Sequence, residues 1–176
     1  MSSAVSDDEF LVTVGEHLDL VYNLARRLSD SGPDAEDLVQ ETLLRALRSW
    51  RRHPPDDARA WLCTICLNTA RGEWRHNAIR PTEVLDPHPG TLDASLRDTA
   101  AEAIGRLVRE QVHAALWRLP PAQREAIALM DLCGFSAAEV AAMTGAPRGT
   151  ILARVHRGHK RLAVLLRRQG VAGGGT

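Results

Sequence analysis

GFSAAEVAAMTGAPRGTILARVHRGHKRL, residues Gly134 to Leu162, is the stretch on which the fold turns. Ser136 suits the N-cap of a short helix, and Glu139 three residues on completes a capping box. Ala137, Val140, Ala141 and Met143 give that helix a small apolar face. Thr144-Gly145-Ala146 ends it, since Gly145 is free to take the positive φ that closes a helix. Pro147 suits the first turn of the next helix, where its missing N–H costs nothing. Between Pro147 and Arg168 stand Arg148, Arg154, Arg157, Lys160, Arg161, Arg167 and Arg168, and no acid. Ile151, Val155, Leu162 and Leu166 recur at helical spacing and suit a core. Arg148, Thr150, Arg154, Arg157 and Arg161 are left on or near the outward side. A short helix, a glycine turn and a basic second helix form the helix-turn-helix pattern, whose second helix enters the major groove. The same pattern also occurs as a plain helix pair with a solvated basic face; the acid-free run of charge favours nucleic acid.

Charge distribution extends this contrast to the whole chain. The 176 residues are neutral overall, with 22 basic and 22 acidic side chains. Residues 1–80 nevertheless carry 10 basic and 13 acidic groups, residues 81–100 carry 1 and 4, and residues 101–176 carry 11 and 5. Asymmetry of this kind points to different partners for different parts. No apolar run is long enough to cross a bilayer, and MSSAVSDDEF lacks the basic and apolar regions of a signal peptide, so a cytoplasmic protein is expected. Three cysteines argue against a disulfide framework. Cys63 and Cys66 form a CxxC inside AWLCTICLNTA, an apolar helical stretch with no second CxxC, where a buried Cys acts as a small hydrophobe. Cys133 reads as core as well. No metal or cofactor is expected.

Alanine- and leucine-rich helical patterning runs through the chain without alternating β-branched strands, which predicts an all-α fold of two small domains. The first helix spans about Asp7 to Leu28, with Leu11, Val14, Leu18, Val21, Leu24 and Leu28 on one face. Ser31-Gly32-Pro33 breaks it. A second helix starts near Asp34 as N-cap, with Asp37 three residues on, and runs to about Arg51. His53-Pro54-Pro55 ends it. A third spans about Asp57 to His76. These make an N-terminal domain over 1–80. Pro81, Pro87, Pro89 and Gly90 then punctuate a mostly acidic stretch, predicted as a flexible linker over 81–99. A C-terminal domain over 100–168 holds helices near 100–118, 121–132, 136–143 and 147–168, with Leu119-Pro120-Pro121 as its first turn. Residues 169–176 are expected to be a disordered tail.

Two further surfaces carry chemistry. With Leu38, Leu43, Ala46 and Trp50 inward, the second helix presents Asp37, Gln40, Glu41, Leu44 and Arg48 outward. A leucine among acids and a glutamine suits docking on another helical protein, although a stray exposed leucine is also ordinary. Along the third helix, Trp61, Asn68, Arg71, Trp74, Arg75 and His76, followed by Arg80, bring rings and guanidinium groups together. Bases stack on rings while arginines hold phosphates, a combination that suits single-stranded DNA. Trp61 reads as core, and Trp74 suits either stacking or half-buried packing.

DAEDLVQETLLRA (Asp34–Ala46), RAWLCTICLNTAR (Arg59–Arg71), LPPAQREAIAL (Leu119–Leu129) and the Gly134–Leu162 stretch, in this order, resemble the extracytoplasmic-function (ECF) sigma factors of bacterial RNA polymerase. The resemblance covers about residues 10–166. It implies that Asp37, Gln40, Glu41 and Leu44 dock on the clamp helices of core RNA polymerase. It implies that Asn68, Arg71, Trp74, Arg75, His76, Asn77 and Arg80 hold the melted minus-10 element of promoter DNA, with a base flipped into a loop at about His76–Thr82. The acidic linker would follow the polymerase's RNA path. Arg148, Thr150, Arg154, Arg157 and Arg161 would read the minus-35 element, phosphate contacts setting position and base edges setting specificity. An anti-sigma factor is a further expected partner. The function so implied is binding, not catalysis: the sequence shows no nucleophile–base pair, phosphate loop or metal cluster.

Four positions depart from the family pattern. Gly72 stands where an Asp is common, Leu67 and Leu152 where a basic residue is, and Ala153 where a Ser is. Each is expected to remove a polar group from a DNA-facing surface. Two rival readings remain: a stand-alone helix-turn-helix regulator with residues 1–80 as a sensing or dimerising domain, and a redox or metal sensor on Cys63 and Cys66. The first predicts tight duplex binding without polymerase. The second predicts that Ala at both cysteines abolishes the response, where the sigma reading predicts only a modest packing cost.

Overall fold

The computed structural model describes residues 7–79 and 100–168, with no side-chain description at 77–79, 100, 101 and 103. The expected linker over 81–99, the expected tail over 169–176, Arg80 and the side chain of Asn77 lie outside what is described. Among the described residues there are seven α-helices and no strand: α1 (Asp7–Leu28), α2 (Gly32–Trp50), α3 (Ala58–Ile79), α4 (Ala100–Trp117), α5 (Pro121–Ile127), α6 (Ala137–Thr144) and α7 (Arg148–Arg168). A π-helical turn, Ala128–Leu132, prolongs α5. None of these helices is long and apolar enough to cross a membrane. The chain divides into two compact units.

In the first unit α1 packs on α2 and α3, and α2 packs on α3. The buried stripe of α1 is Phe10, Val14, Val21, Leu24, Ala25 and Leu28. Leu11 and Leu18, expected on that face, are 65% and 40% exposed. The shift has a cause: Phe10 lies one residue, or about 100°, from Leu11, and its ring meets Trp50 edge-on at 5.7 Å. Trp50 in turn lies 6.0 Å from Trp61. This aromatic cluster selects the inward face, and a doubly bonded ion pair from Arg51 to Asp7 (3.2 and 2.9 Å) joins the same end of α2 to α1.

The start of α2 also differs from expectation. Ser31, not Asp34, is the N-cap: Asp34 N–H donates to Ser31 Oγ at 3.2 Å, and Ser31 Oγ donates to Asp34 Oδ2 at 2.6 Å. Gly32-Pro33 is therefore the first turn of α2 rather than a break, because a proline there forfeits no hydrogen bond. Inward-facing Leu38, Ala46 and Trp50 are buried as expected, while Leu43 is only half-buried and Thr42 and Val39 complete the buried face. Thr42 settles its hydroxyl by donating to the Leu38 carbonyl at 2.7 Å.

Asp57 caps α3 by accepting from Ala60 N–H at 3.0 Å. The helix runs three residues past its expected end, through His76 to Ile79. The expected base-receiving loop at His76–Thr82 is thus helical over its first four residues, and residues 80–82 lie outside the description. Cys63 and Cys66, one turn apart on α3, are fully buried and not disulfide-bonded, and Leu62, Leu67 and Ala70 of the same helix are fully buried too.

The second unit is built on α7, which packs against α5 and α4. Leu116, Leu119 and Ile127 form its core with Val112, Leu162 and Leu165 against them. Arg124 joins α4 to α5: its guanidinium lies 3.7 Å over the Trp117 ring and donates to the Trp117 carbonyl at 3.0 Å. The single helix expected over 121–132 is α only to Ile127. From there Cys133 N–H reaches back five residues to the Ala128 carbonyl at 3.0 Å, which makes the following turn π-helical. Cys133 is buried.

Candidate nucleic-acid interface

Local chemistry sets α6 and α7 as the sequence indicates. Glu139 N–H donates to Ser136 Oγ at 3.3 Å and Ser136 N–H donates to Glu139 Oε2 at 2.7 Å, closing both bonds of the capping box. Gly145 takes φ 70° and its N–H reaches the Ala141 carbonyl at 2.9 Å, so the turn needs a residue without a Cβ clash. Pro147 stands just before α7 rather than in it, and its carbonyl accepts Ile151 N–H at 3.1 Å. Ile151 and Gly158 are the buried residues of α7.

Thr150, Arg154, Arg157 and Arg161 fall within an arc of about 60° on α7. Arg157 and Arg161 are exposed, and Thr150 and Arg154 half-buried. Arg148, also exposed, lies about 120° or more around the helix from these four; it shares the N-terminal end but not the stripe. Leu152 is 42% exposed, and so presents an apolar surface where the resemblance leads one to expect a cation.

On α3, Asn68, Arg71 and Arg75 follow at three and four residues and form one stripe. Asn68 and Arg75 are exposed and Arg71 half-buried, and Arg75 Nε donates to the Arg71 carbonyl at 3.2 Å. Trp74 is half-buried beside the stripe, and exposed His76 lies about 100° from Arg75. Trp61 belongs to the aromatic cluster with Trp50. Two departures from the family pattern separate here. A Cβ on Gly72 would meet nothing within 4 Å, so a side chain there has open space. Leu67, by contrast, is fully buried; its expected place on a DNA-facing surface is corrected, because α3 turns this position into the core beside Cys63 and Cys66.

The outward face of α2 carries exposed Asp37, Gln40, Leu44 and Arg48, with Leu44 49% exposed. Glu41 is half-buried and accepts from Arg45 Nε at 2.6 Å. Sequence reading missed a neighbour of this face. Glu73 on α3 has its carboxyl pushed up, first by partial burial and then by Asp34, Asp37 and Glu41, against the opposing pull of Arg45. The acids of α2 and Glu73 therefore share one negative field. An acid raised in the folded state contributes stability while protonated, and loses it as pH rises through the folded value. Glu73→Gln is expected to raise the thermal midpoint at neutral pH, with the gain vanishing in acid below the ordinary carboxylate range. Melting curves across pH check this, and a gain that persists unchanged into acid contradicts it.

An acid-rich exposed face and an arginine–aromatic helix in one unit, with a helix-turn-helix in the other, define a two-module all-helical protein. Residues 13–79 match the Sigma-70 region 2 family and residues 109–162 the Sigma-70 region 4 family. The ECF RNA polymerase sigma factor EcfG of Rhodopseudomonas palustris is 39% identical over 140 residues, covering 79% of this chain and 75% of that protein. CarQ, an RNA polymerase sigma factor of Myxococcus xanthus, is 32% identical, with 92% and 91% covered. The ECF sigma factor SigE of Mycolicibacterium smegmatis is 37% identical over 85% of this chain, which spans only 58% of SigE. Among solved structures, the sigma factor RpoE of Bartonella quintana, in complex with the anti-sigma factor NepR, superposes with a TM-score of 0.68 at 29% identity, covering 90% of this chain and 97% of RpoE. CnrH, in complex with the cytosolic domain of CnrY, gives a TM-score of 0.68 at 26% identity, with 93% and 90% covered. The chain belongs to the ECF RNA polymerase sigma factors.

Proposed function

We propose that this chain binds core RNA polymerase, directs it to specific promoters and helps open the DNA for initiation. The observation that carries the reading is the pairing of two unlike surfaces in one chain: the acid-flanked Leu44 face of α2, and the arginine stripe of α7 behind an intact capping box and glycine turn. In this reading residues 1–80 bind polymerase and the minus-10 element, residues 81–99 link, and residues 100–168 bind the minus-35 element. Asp37, Gln40, Glu41 and Leu44 dock on the clamp. Asn68, Arg71, Trp74, Arg75, His76, Asn77 and Arg80 hold the opened strand. Arg148, Thr150, Arg154, Arg157 and Arg161 meet the minus-35 duplex. The protein acts by binding, in the cytoplasm where the polymerase is, and the chemistry of RNA synthesis is the polymerase's. The solved relatives RpoE and CnrH are held by NepR and CnrY, which supports a controlling anti-sigma factor here too.

Arg154 separates the two surfaces experimentally. Its place in the α7 stripe suits a base-edge or phosphate contact, and loss of such a contact costs about 1–3 kcal/mol. Arg154→Ala is expected to weaken minus-35-dependent initiation about ten- to hundredfold, with core polymerase affinity unchanged. Parallel measurement of polymerase binding and of initiation on promoters with and without a minus-35 element checks this. Equal loss in both assays rules out the assignment.

A further inference from the structure

We infer that Asp131 and His159 are positioning residues for promoter readout: together they fix the rotation of α7 about its axis, and with it the aim of Arg154, Arg157 and Arg161. The inference rests on the DNA-reading role proposed for α7, and extends it to two residues outside the reading stripe.

The geometry starts at the π-helical turn. Cys133 N–H bonds to the Ala128 carbonyl and Phe135 N–H to the Leu129 carbonyl, both at 3.0 Å. Such a turn is rare, and where it occurs inside a helix it frequently marks a functional site. Each residue of an α-helix advances about 100°, so relaxing this turn to α geometry would swing the side chains that follow it. As built, the turn brings Asp131 Oδ2 to 2.5 Å from His159 Nε2 on α7.

The neighbouring residue supplies a second restraint of a different kind. A Cβ on Gly158 would come within 2.6 Å of Ile127 Cδ1 and 3.4 Å of Gln123 Cβ. Gly158 therefore sets how closely α7 approaches α5. His159, about 100° further around, sets how α7 is turned once it is there. Rotation has leverage on the reading groups: at an outer radius of about 6 Å, a 10° turn moves a side-chain tip by about 1 Å. That is enough to spoil hydrogen-bond geometry.

The Asp131 and His159 side chains are 40% and 50% exposed. A pair so exposed adds little to global stability. Its expected signature is thus lost discrimination in a protein that still folds, which a merely structural contact does not give.

The test uses the full chain assembled with core RNA polymerase, first to select a minus-35 sequence from a randomised promoter library. Initiation is then compared on the selected sequence and on its single-base variants. His159→Ala and Asp131→Ala are each expected to lower discrimination about five- to tenfold, with polymerase affinity and thermal midpoint unchanged. The double variant should be no worse than either single one, as expected for two members of one contact. His159→Arg, whose guanidinium can donate to the Asp131 carboxylate, should retain wild-type discrimination. The inference is overturned by unchanged discrimination in both single variants, by losses that add in the double, or by a loss that His159→Arg fails to rescue. A wild-type holoenzyme that selects no minus-35 sequence overturns the DNA-reading role itself, and that outcome appears before any variant is made.

Discussion

Gly158→Leu is expected to unfold the C-terminal unit while the N-terminal unit stays folded. The added Cβ alone would lie 2.6 Å from Ile127 Cδ1, and the rest of the leucine would have to enter the space that Ile127 and Gln123 occupy. Both are buried on α5, so neither can clear the volume of a whole leucine side chain. Overpacking of this kind costs about 1–3 kcal/mol and sometimes more, a large share of the stability of a small helical unit. Gly158→Ala should behave differently. The tip of Ile127 can rotate away from one methyl group, and replacing a mid-helix glycine recovers about 0.5–1 kcal/mol. The alanine variant is therefore expected to lie within about 1 kcal/mol of wild type. Chemical denaturation followed by residue-resolved NMR distinguishes the two units. A leucine variant as stable as the alanine one would show that α7 and α5 do not approach as closely as described.

The second large effect is expected on polymerase affinity. Leu44 is 49% exposed among Asp37, Gln40 and Glu41, a small apolar anchor within an acidic rim. Burying such an anchor at the centre of an interface can contribute about 2 kcal/mol or more, and reversing rim charge slows association. Leu44→Glu combined with Asp37→Lys is expected to lower core polymerase affinity at least about thirtyfold. Binding of the isolated chain to minus-35 duplex, measured without polymerase, should be unchanged. Neither residue is part of the buried core, so the variant should fold. Unaltered polymerase affinity would remove α2 from the docking surface.

The sequence made the helix ends of the second unit legible because their determinants are local. Ser136, Glu139 and Gly145 act within a few residues of one another, and each does in the structure what its chemistry implies. Inward faces were legible where the stripe was unambiguous, as at Val14, Val21, Leu24 and Leu28. They were misread where two stripes compete. Leu11 and Phe10 are adjacent apolar residues, and only the partner Trp50, forty residues away, decides between them. Ser31-Gly32-Pro33 looked like a break because proline and glycine punctuate both loops and first turns. The π turn at Ala128–Leu132, the burial of Leu67 and the close approach at Gly158 all depend on neighbours distant in sequence, which periodicity does not report. Glu73 carried no signal of its own; its carboxyl is pushed up by partial burial in the folded unit and then by three acids on another helix. Of the residues proposed to serve DNA reading, the stripe Thr150, Arg154, Arg157 and Arg161 follows from spacing alone, whereas the positioning pair Asp131 and His159, 28 residues apart, meets only in the folded unit.

The central claim is that this chain confers promoter selectivity on RNA polymerase. Run-off transcription with purified core polymerase, with and without the chain, on a library of the host's upstream regions tests it most directly. The account predicts discrete transcripts that depend on the chain, whose aligned upstream sequences share two spaced elements, the farther one lost as a requirement in the Arg154→Ala protein. The absence of chain-dependent transcripts, together with no binding to core polymerase, would contradict it.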